Sequence, residues 1–106
     1  MPTYTVVVAI GQSSLDLAEW EEFISKTDKA LDTQGSIISA AEGWGEYEGT
    51  DEWTFQWIIT DVTDLAGLQD AVCAIAKDYR QEAVGIIATT GNTIFPTGYI
   101  QEDNNA

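Results

Sequence analysis

Large apolar side chains occupy every second position between Glu52 and Thr60, and this alternation constrains the fold more than any other feature of the sequence. In an extended chain such residues share one face, while the polar residues between them share the other. The apolar face comprises Trp53, Phe55, Trp57 and Ile59, and the polar face comprises Thr54, Gln56 and Thr60, interrupted only by Ile58. The segment is therefore predicted to be a strand with one face in a hydrophobic core.

Three other segments are predicted as strands. Thr3–Ile10 is an apolar run rich in β-branched residues, which is typical of a strand buried on both faces. A second strand is expected over Ser36–Glu42 and a last one over Ala83–Thr90. Thr93–Ile100 is apolar enough to pack on the sheet or to add a short strand, although Pro96 argues against a central place in it.

Apolar residues recur at helical spacing in two segments between these strands, predicted as helices over Leu15–Leu31 and Leu65–Gln81. Each has candidate N-cap residues before it: Ser13 or Ser14 for the first helix, and Thr63 or Asp64 for the second. The predicted inner stripe of the first comprises Leu17, Trp20, Phe23, Ile24 and Leu31. The chain's four basic residues lie near the helix ends, where the helix dipole favours cations: Lys26, Lys29, Lys77 and Arg80.

The element order β-α-β-β-α-β predicts a ferredoxin-like α+β fold. Right-handed crossovers place both helices on one face of a four-stranded antiparallel sheet, with the first and third strands at its centre. The length of 106 residues suits one domain, predicted over residues 1–100 and followed by a flexible acidic tail over 101–106.

Negative charge is the unusual property of the composition. Eighteen Asp and Glu face four Lys and Arg, giving a net charge of −14. This argues against nucleic acid and anionic membrane as direct partners and favours a cationic one, although acidity also serves solubility. The start of the chain lacks the basic and small-residue features of a signal peptide, so a cytoplasmic location is expected.

Five carboxylates crowd the predicted connection EGWGEYEGTDEW, residues 42–53, without any nearby cation. Trp44 and Tyr47 lie among them, either as anchors of an interface or as a local pack over the hairpin. The candidate partner-binding residues are Glu42, Trp44, Glu46, Tyr47, Glu48, Asp51 and Glu52. The glycines of this segment, Gly43, Gly45 and Gly49, are expected to permit the backbone angles of a turn or bulge.

Short motifs resemble a family of small, functionally uncharacterised bacterial proteins with this α+β layout. They are a strand ending in Gly11, the helix stretch AEWEEFI, the stretch EGWGEYEG, and a helix ending DYRQEAV. The resemblance implies a ferredoxin-like fold and supplies no active-site residues. The charge pattern also looks like that of phage-encoded anti-defence proteins that mimic nucleic acid.

The sequence offers little for catalysis. The chain has no histidine, which excludes Ser-His and Cys-His pairs and histidine-ligated metals. Its single cysteine, Cys73, borders an apolar stripe and is expected to be buried and inert. The acidic spacing does not match a calcium loop. We therefore expect no enzyme activity, no metal and no cofactor.

Three functions are consistent with these features. The first is an inhibitor of the anti-CRISPR or anti-restriction type, which binds a basic, nucleic-acid-handling protein by charge mimicry. The second is a small-molecule-binding protein or enzyme of the dimeric α+β barrel type, with a pocket lined by Thr54, Gln56 and Thr60. The third is a structural homodimer that pairs through the sheet face bearing Trp53 and Trp57, which otherwise packs under the helices.

Overall fold

The protein forms one antiparallel sheet covered by two helices. The structure is a computed structural model and describes residues 2–90. Its elements are β1 (Tyr4–Gly11), α1 (Leu17–Asp32), β2 (Ser36–Tyr47), β3 (Thr50–Val62), α2 (Leu65–Asp78) and β4 (Gly85–Thr90). The strand order β2-β3-β1-β4 confirms the predicted ferredoxin-like arrangement with β1 and β3 at the centre. The segments Thr93–Ile100 and 101–106, for which a packed or short added strand and a flexible tail are predicted, lie outside the described residues.

One face of the central strands forms the core. The prediction that the first strand is buried on both faces was wrong, because Val7 and Ala9 on its other face are only half-buried. Val8 pairs with Trp57 and Val6 with Ile59, and all four side chains are fully buried. Both helices pack on this face and contribute Trp20, Phe23, Leu31, Leu68, Val72 and Tyr79. Trp57 also donates its Nε1–H to Asp28 on α1 at 2.9 Å, which satisfies the polar atom of a buried ring. Trp20 and Trp57 are therefore core residues, as predicted, and Trp53 packs against the core while partly buried.

Contacts at one end of the helices hold α1 and α2 together. The rings of Phe23 and Tyr79 stack with centroids 5.0 Å apart. The Tyr79 hydroxyl donates to Glu22 at 2.7 Å, and Arg80 pairs with Glu19 at 2.7 Å. Burial, followed by this hydrogen bond to a carboxylate, raises the pKa of Tyr79. The end of α2, and the loop after it, are thereby fixed relative to α1.

The start of α1 differs from the prediction. Asp16, not Ser13 or Ser14, is the N-cap, and its side chain accepts a hydrogen bond from the Glu19 amide at 2.8 Å. Because the helix begins at Leu17, that side chain projects outward and is 66% exposed instead of lining the core. Leu15 from the preceding loop is buried in the core.

The prediction for α2 is correct at its start and wrong for Cys73. Asp64 caps the helix by accepting from the Gly67 amide at 2.9 Å. Cys73 is exposed, since Val72 and Ala76 supply the buried stripe. Neither helix within residues 2–90 has the length and apolarity that crossing a bilayer requires.

The hairpin strands are longer than predicted. β2 continues to Tyr47 and β3 begins at Thr50, so the segment 42–53 is nearly all strand. Glu48 and Gly49 alone form the turn, with φ of 50° and 80°, as a two-residue type I′ hairpin requires. Of the three glycines assigned to a turn or bulge, Gly49 is in the turn, while Gly43 and Gly45 lie in regular β2.

A residue with positive φ ends α2. Arg80 has φ of 59°, its N–H donates to the Lys77 carbonyl at 3.1 Å, and the Gln81 N–H donates to the Ala76 carbonyl at 3.0 Å. This pair of bonds is the Schellman motif, whose left-handed position is normally glycine because a Cβ is strained there. Arg80 therefore carries backbone strain at the point where the chain leaves α2 and turns towards β4.

We expect Arg80→Gly to be more stable than Arg80→Ala by about 1 kcal/mol, because both lose the Glu19 pair but only glycine relieves the strain. Urea denaturation of the two variants measures the difference. At Lys77, inside α2, the order should reverse, with glycine about 1 kcal/mol less stable than alanine. Equal stability of the two Arg80 variants would contradict the strained cap.

Candidate functional site

The outer end of the β2–β3 hairpin projects beyond the rest of the sheet. The β1–β3 ladder stops where Gly11 pairs with Thr54, and one further bond joins the Gln12 N–H to the Trp53 carbonyl at 2.8 Å. The β2–β3 ladder continues to the pair Tyr47 and Thr50. Residues 42–53, which we call the acidic hairpin end, are thus held mainly by each other, with all seven predicted site residues among them.

One face of the acidic hairpin end carries an aromatic pair flanked by acids. Trp44 lies opposite Trp53, with ring centroids 5.2 Å apart in an edge-to-face contact. The Trp53 Nε1–H donates to Glu42 at 3.0 Å. Further out on the same face, Glu46 lies directly opposite Asp51. Trp44 belongs to this periodic face and was wrongly assigned to a loop, yet it remains 76% exposed.

The other face places Tyr47 among carboxylates. Glu52 shares this face, and its carboxyl lies against Gly11, where the Cβ of any other residue would overlap it. The pKa of Tyr47 is raised mainly by the negative charge of Glu48, then by burial and by the charge of Glu82. Glu82 comes from the loop between α2 and β4, so the negative charge here is not confined to the hairpin.

A groove at the end of the hairpin brings most of the predicted residues together. It encloses about 680 Å³ and is lined by five of them: Trp44, Tyr47, Glu48, Asp51 and Glu52. Trp53 and Glu82 line it as well. Glu46 instead lines a neighbouring cavity of about 400 Å³. Glu42 lines neither the groove nor this cavity, and its carboxylate accepts a hydrogen bond from Trp53.

The hairpin carboxylates have no cationic partner in the part of the chain that the structure describes. The ion pairs there are Lys26 with Glu22, at 3.0 Å, and Arg80 with Glu19. Arg80 does line the 400 Å³ cavity beside Glu46, but its guanidinium binds α1. Glu46 and Asp51 face each other with like charge, an arrangement that destabilises an antiparallel ladder.

The acids are not arranged as a metal centre. No group of three or more His, Cys, Asp or Glu side chains within residues 2–90 is placed to hold an ion. What the groove combines is exposed aromatic surface with several carboxylates. This combination suits organic cations, such as ammonium and guanidinium groups, which aromatic faces and carboxylates both attract.

Five residues that line the groove were not among the predicted site residues: Gln12, Ser13, Thr50, Trp53 and Glu82. Trp53 was assigned to the core or to a subunit interface, because it shares a strand face with Trp57. Trp57 is fully buried, whereas Trp53 is only partly buried. Glu82 lies about thirty residues further along the chain. It was detectable in principle, because in this strand order β4 begins beside the end of β1, where Ala9 pairs with Gly85.

Comparisons with known proteins establish the fold. No protein-family model matches the sequence, and no curated protein matches it significantly. Among solved structures, the chain is similar to a DUF3240 family protein from Shewanella baltica OS155, with a TM-score of 0.56, 14% identity, and 95% of this chain and 100% of that one covered. It is similar also to the C-terminal domain of MgtC from Mycobacterium tuberculosis, with a TM-score of 0.51, 14% identity, and 88% and 90% coverage.

These similarities agree with the resemblance to uncharacterised bacterial α+β proteins at the level of the fold. Enzymes also occur among the solved structures that have lower TM-scores. A phage SAM lyase has a TM-score of 0.47 and 20% identity, with 83% of this chain and 81% of that one covered. Because one fold hosts many functions, the absence of enzyme activity remains a prediction for this chain.

The pKa of Tyr47 should respond to the negative charges that surround it in the groove. We expect Glu48→Gln to lower the pKa of Tyr47, because a neutral neighbour no longer opposes the phenolate. Ultraviolet titration of tyrosine, with Tyr47→Phe subtracted, measures this pKa. Glu21→Gln on the exposed side of α1 is the control and should leave it unchanged. A Tyr47 pKa that does not respond to Glu48→Gln would contradict the placement of these two groups.

Proposed function

We propose that the protein binds a basic, nucleic-acid-handling protein through the acidic hairpin end and inhibits it by charge mimicry, in the manner of anti-CRISPR or anti-restriction proteins. The observation that carries this proposal is the groove in which Glu48, Asp51, Glu52 and Glu82 lie together without an ion-pair partner from residues 2–90. A partner that supplies cations would relieve the repulsion between these carboxylates. Because the repulsion persists in the free protein, its relief would contribute to the free energy of binding.

The rigidity of the hairpin supports mimicry of a phosphate backbone. A row of anionic groups competes for a basic groove only if it is held in place, since mobile side chains lose entropy on binding. The β2–β3 ladder is continuous from Ser39 to Tyr47 and closes in a two-residue turn. The carboxylates of Glu42 and Glu46 therefore project at regular intervals from one strand.

The aromatic residues add contact surface to the charges. Trp44 is exposed beside the groove and is braced by Trp53, so it is already oriented for contact. Large aromatics held in this way are common anchors of protein interfaces. Arginine guanidinium groups, which basic nucleic-acid-binding proteins use for phosphates, also stack on aromatic faces.

The triple charge reversal Glu46→Lys, Glu48→Lys and Asp51→Lys tests the proposal. Pull-down from a host lysate should retain a basic protein on the native chain at low salt, lose it at high salt, and lose it for the variant at both. The control is Glu21→Lys, Asp32→Lys and Asp70→Lys, three exposed acids on the helices with the same change in net charge. Retention by the hairpin variant, or equal loss by both, would remove the hairpin from consideration.

Asp51→Lys alone should separate binding from folding. It converts the like-charged pair with Glu46 into an opposite-charge pair, which we expect to stabilise the fold by about 0.5 kcal/mol. Partner binding should weaken at the same time. Denaturation and binding measured on one sample give the change in the free energy of unfolding and the change in partner affinity. A variant that is both less stable and weaker in binding would contradict the prediction and indicate structural damage.

A small organic cation is the second candidate ligand, and the 400 Å³ cavity favours it. That volume lies within the range of small-molecule sites, and Tyr47, Glu52 and Glu82 line it. Of the three residues predicted for a pocket, Thr54 lines this cavity, whereas Gln56 and Thr60 do not.

Choline is a suitable probe for this candidate because its quaternary ammonium group is recognised by aromatic and anionic groups. If the cavity binds such cations, choline should raise the melting temperature of the native protein and of Trp44→Ala, but not of Tyr47→Leu. Protein docking at the groove should instead depend on Trp44. A rise in melting temperature that persists in Tyr47→Leu would count against the cavity.

A further inference from the structure

Among the strands within residues 2–90, β2 lies at an edge of the sheet and has one long unpaired side. In the part of the chain that the structure describes, it pairs with β3 alone. Ser39–Tyr47 keeps a regular register with β3, and the shift between Ile37 and Ser39 marks the inner limit of this stretch. Nine residues extend over about 30 Å, which is long enough for strand pairing with another chain.

The features that usually protect an edge strand are weak along Ser39–Tyr47. Seven of its nine residues are exposed, and only Gly43 and Gly45 are half-buried. The stretch contains neither lysine nor proline, which commonly block pairing at edges. Glu42 and Glu46 supply the only charges, so any chain that adds to this edge must tolerate two carboxylates.

The two faces of this edge differ in size and charge. Glu42, Trp44 and Glu46 alternate along one face, as the pairs Trp44 with Trp53 and Glu46 with Asp51 show. The opposite face has only small residues until Tyr47: Ser39, Ala41, Gly43 and Gly45. At Gly43 nothing lies within 4 Å of where a Cβ would be, so there is room for a neighbouring strand's larger side chain.

We propose that an extended basic segment of the partner adds to the sheet as a fifth strand along Ser39–Tyr47. Its backbone pairs with the free side of β2, and lysines or arginines at alternate positions lie beside Glu42 and Glu46. A larger apolar side chain on the other face covers Gly43, whereas Gly45 is already covered by the Thr54 side chain. This inference rests on the proposed function and specifies how the partner is recognised.

Charge makes a basic partner the occupant in preference to a second copy of this chain. A second copy would bring another net charge of −14 and another row of Glu42 and Glu46 to the same edge. Like charges on neighbouring strands oppose pairing, whereas opposite charges stabilise it. The same carboxylates therefore discourage self-association and select a cationic strand.

A nine-residue peptide that alternates lysine and valine tests the inference. Two derivatives carry N-methyl groups on all lysine amides or on all valine amides, with the charge unchanged. Because alternate N–H groups of a strand point to opposite sides, one derivative loses the N–H groups that face β2 and should bind about tenfold more weakly or worse. The other should bind like the parent. Fluorescence anisotropy measures the three affinities.

Two protein variants provide the matched test on β2. Ala40→Pro and Ala41→Pro remove N–H groups that point to opposite sides, one into the ladder with β3 and one outward. The variant that keeps its melting temperature has lost the outward N–H, and it should also lose peptide binding. Normal binding by that stable variant would overturn strand addition.

The outcomes separate this inference from the function on which it rests. If the parent peptide binds and both N-methylated peptides bind within about twofold of it, contact is through side chains alone. The inference then fails, while binding of cationic partners at the acidic hairpin end stands. If the parent peptide and the lysate protein both fail to bind at low salt, both proposals fail.

Discussion

The structure depends on β3, which pairs with β1 on one side and β2 on the other. The pairing with β2 extends further towards the hairpin turn than the pairing with β1. Its inner part, from Thr54 onwards, pairs with both β1 and β2 and buries Trp57 and Ile59 under the helices. Its outer part pairs with β2 alone, because β1 ends at Gly11. One strand thus anchors the core and carries the candidate site.

Held in this ladder, the hairpin tolerates an electrostatic arrangement that would be unfavourable alone. Glu46 faces Asp51, and Glu48, Glu52 and Glu82 surround Tyr47, yet no internal cation relieves them in residues 2–90. The Trp44–Trp53 contact and the Trp53–Glu42 hydrogen bond offset part of that repulsion. Protein sites commonly give up stability for function in this way. This is the physical basis of the proposed cationic partner.

Sequence reasoning succeeded where a local pattern had one physical cause. The alternation through Trp57 identified β3, and a polar pair before an apolar run predicted Thr63 or Asp64 as a cap, of which Asp64 is the one observed. It failed where neighbours compete: Asp16 took the cap expected of Ser13 or Ser14, and this turned Leu17 outward. The outer part of β2 was not recognised as a strand, because glycines on one face and acids on the other give no apolar alternation there. Pairing with β3 makes this part extended.

By itself, the sequence determined the order of the elements, the buried face of β3 and the excess of negative charge, because each follows from composition or from periodicity within a few residues. Only the tertiary structure decided that Glu82 joins the hairpin acids, that Arg80 pairs with Glu19, and that β2 pairs with β3 alone within residues 2–90. These facts depend on contacts between residues far apart in the chain, which strand order and register create and which no local pattern records.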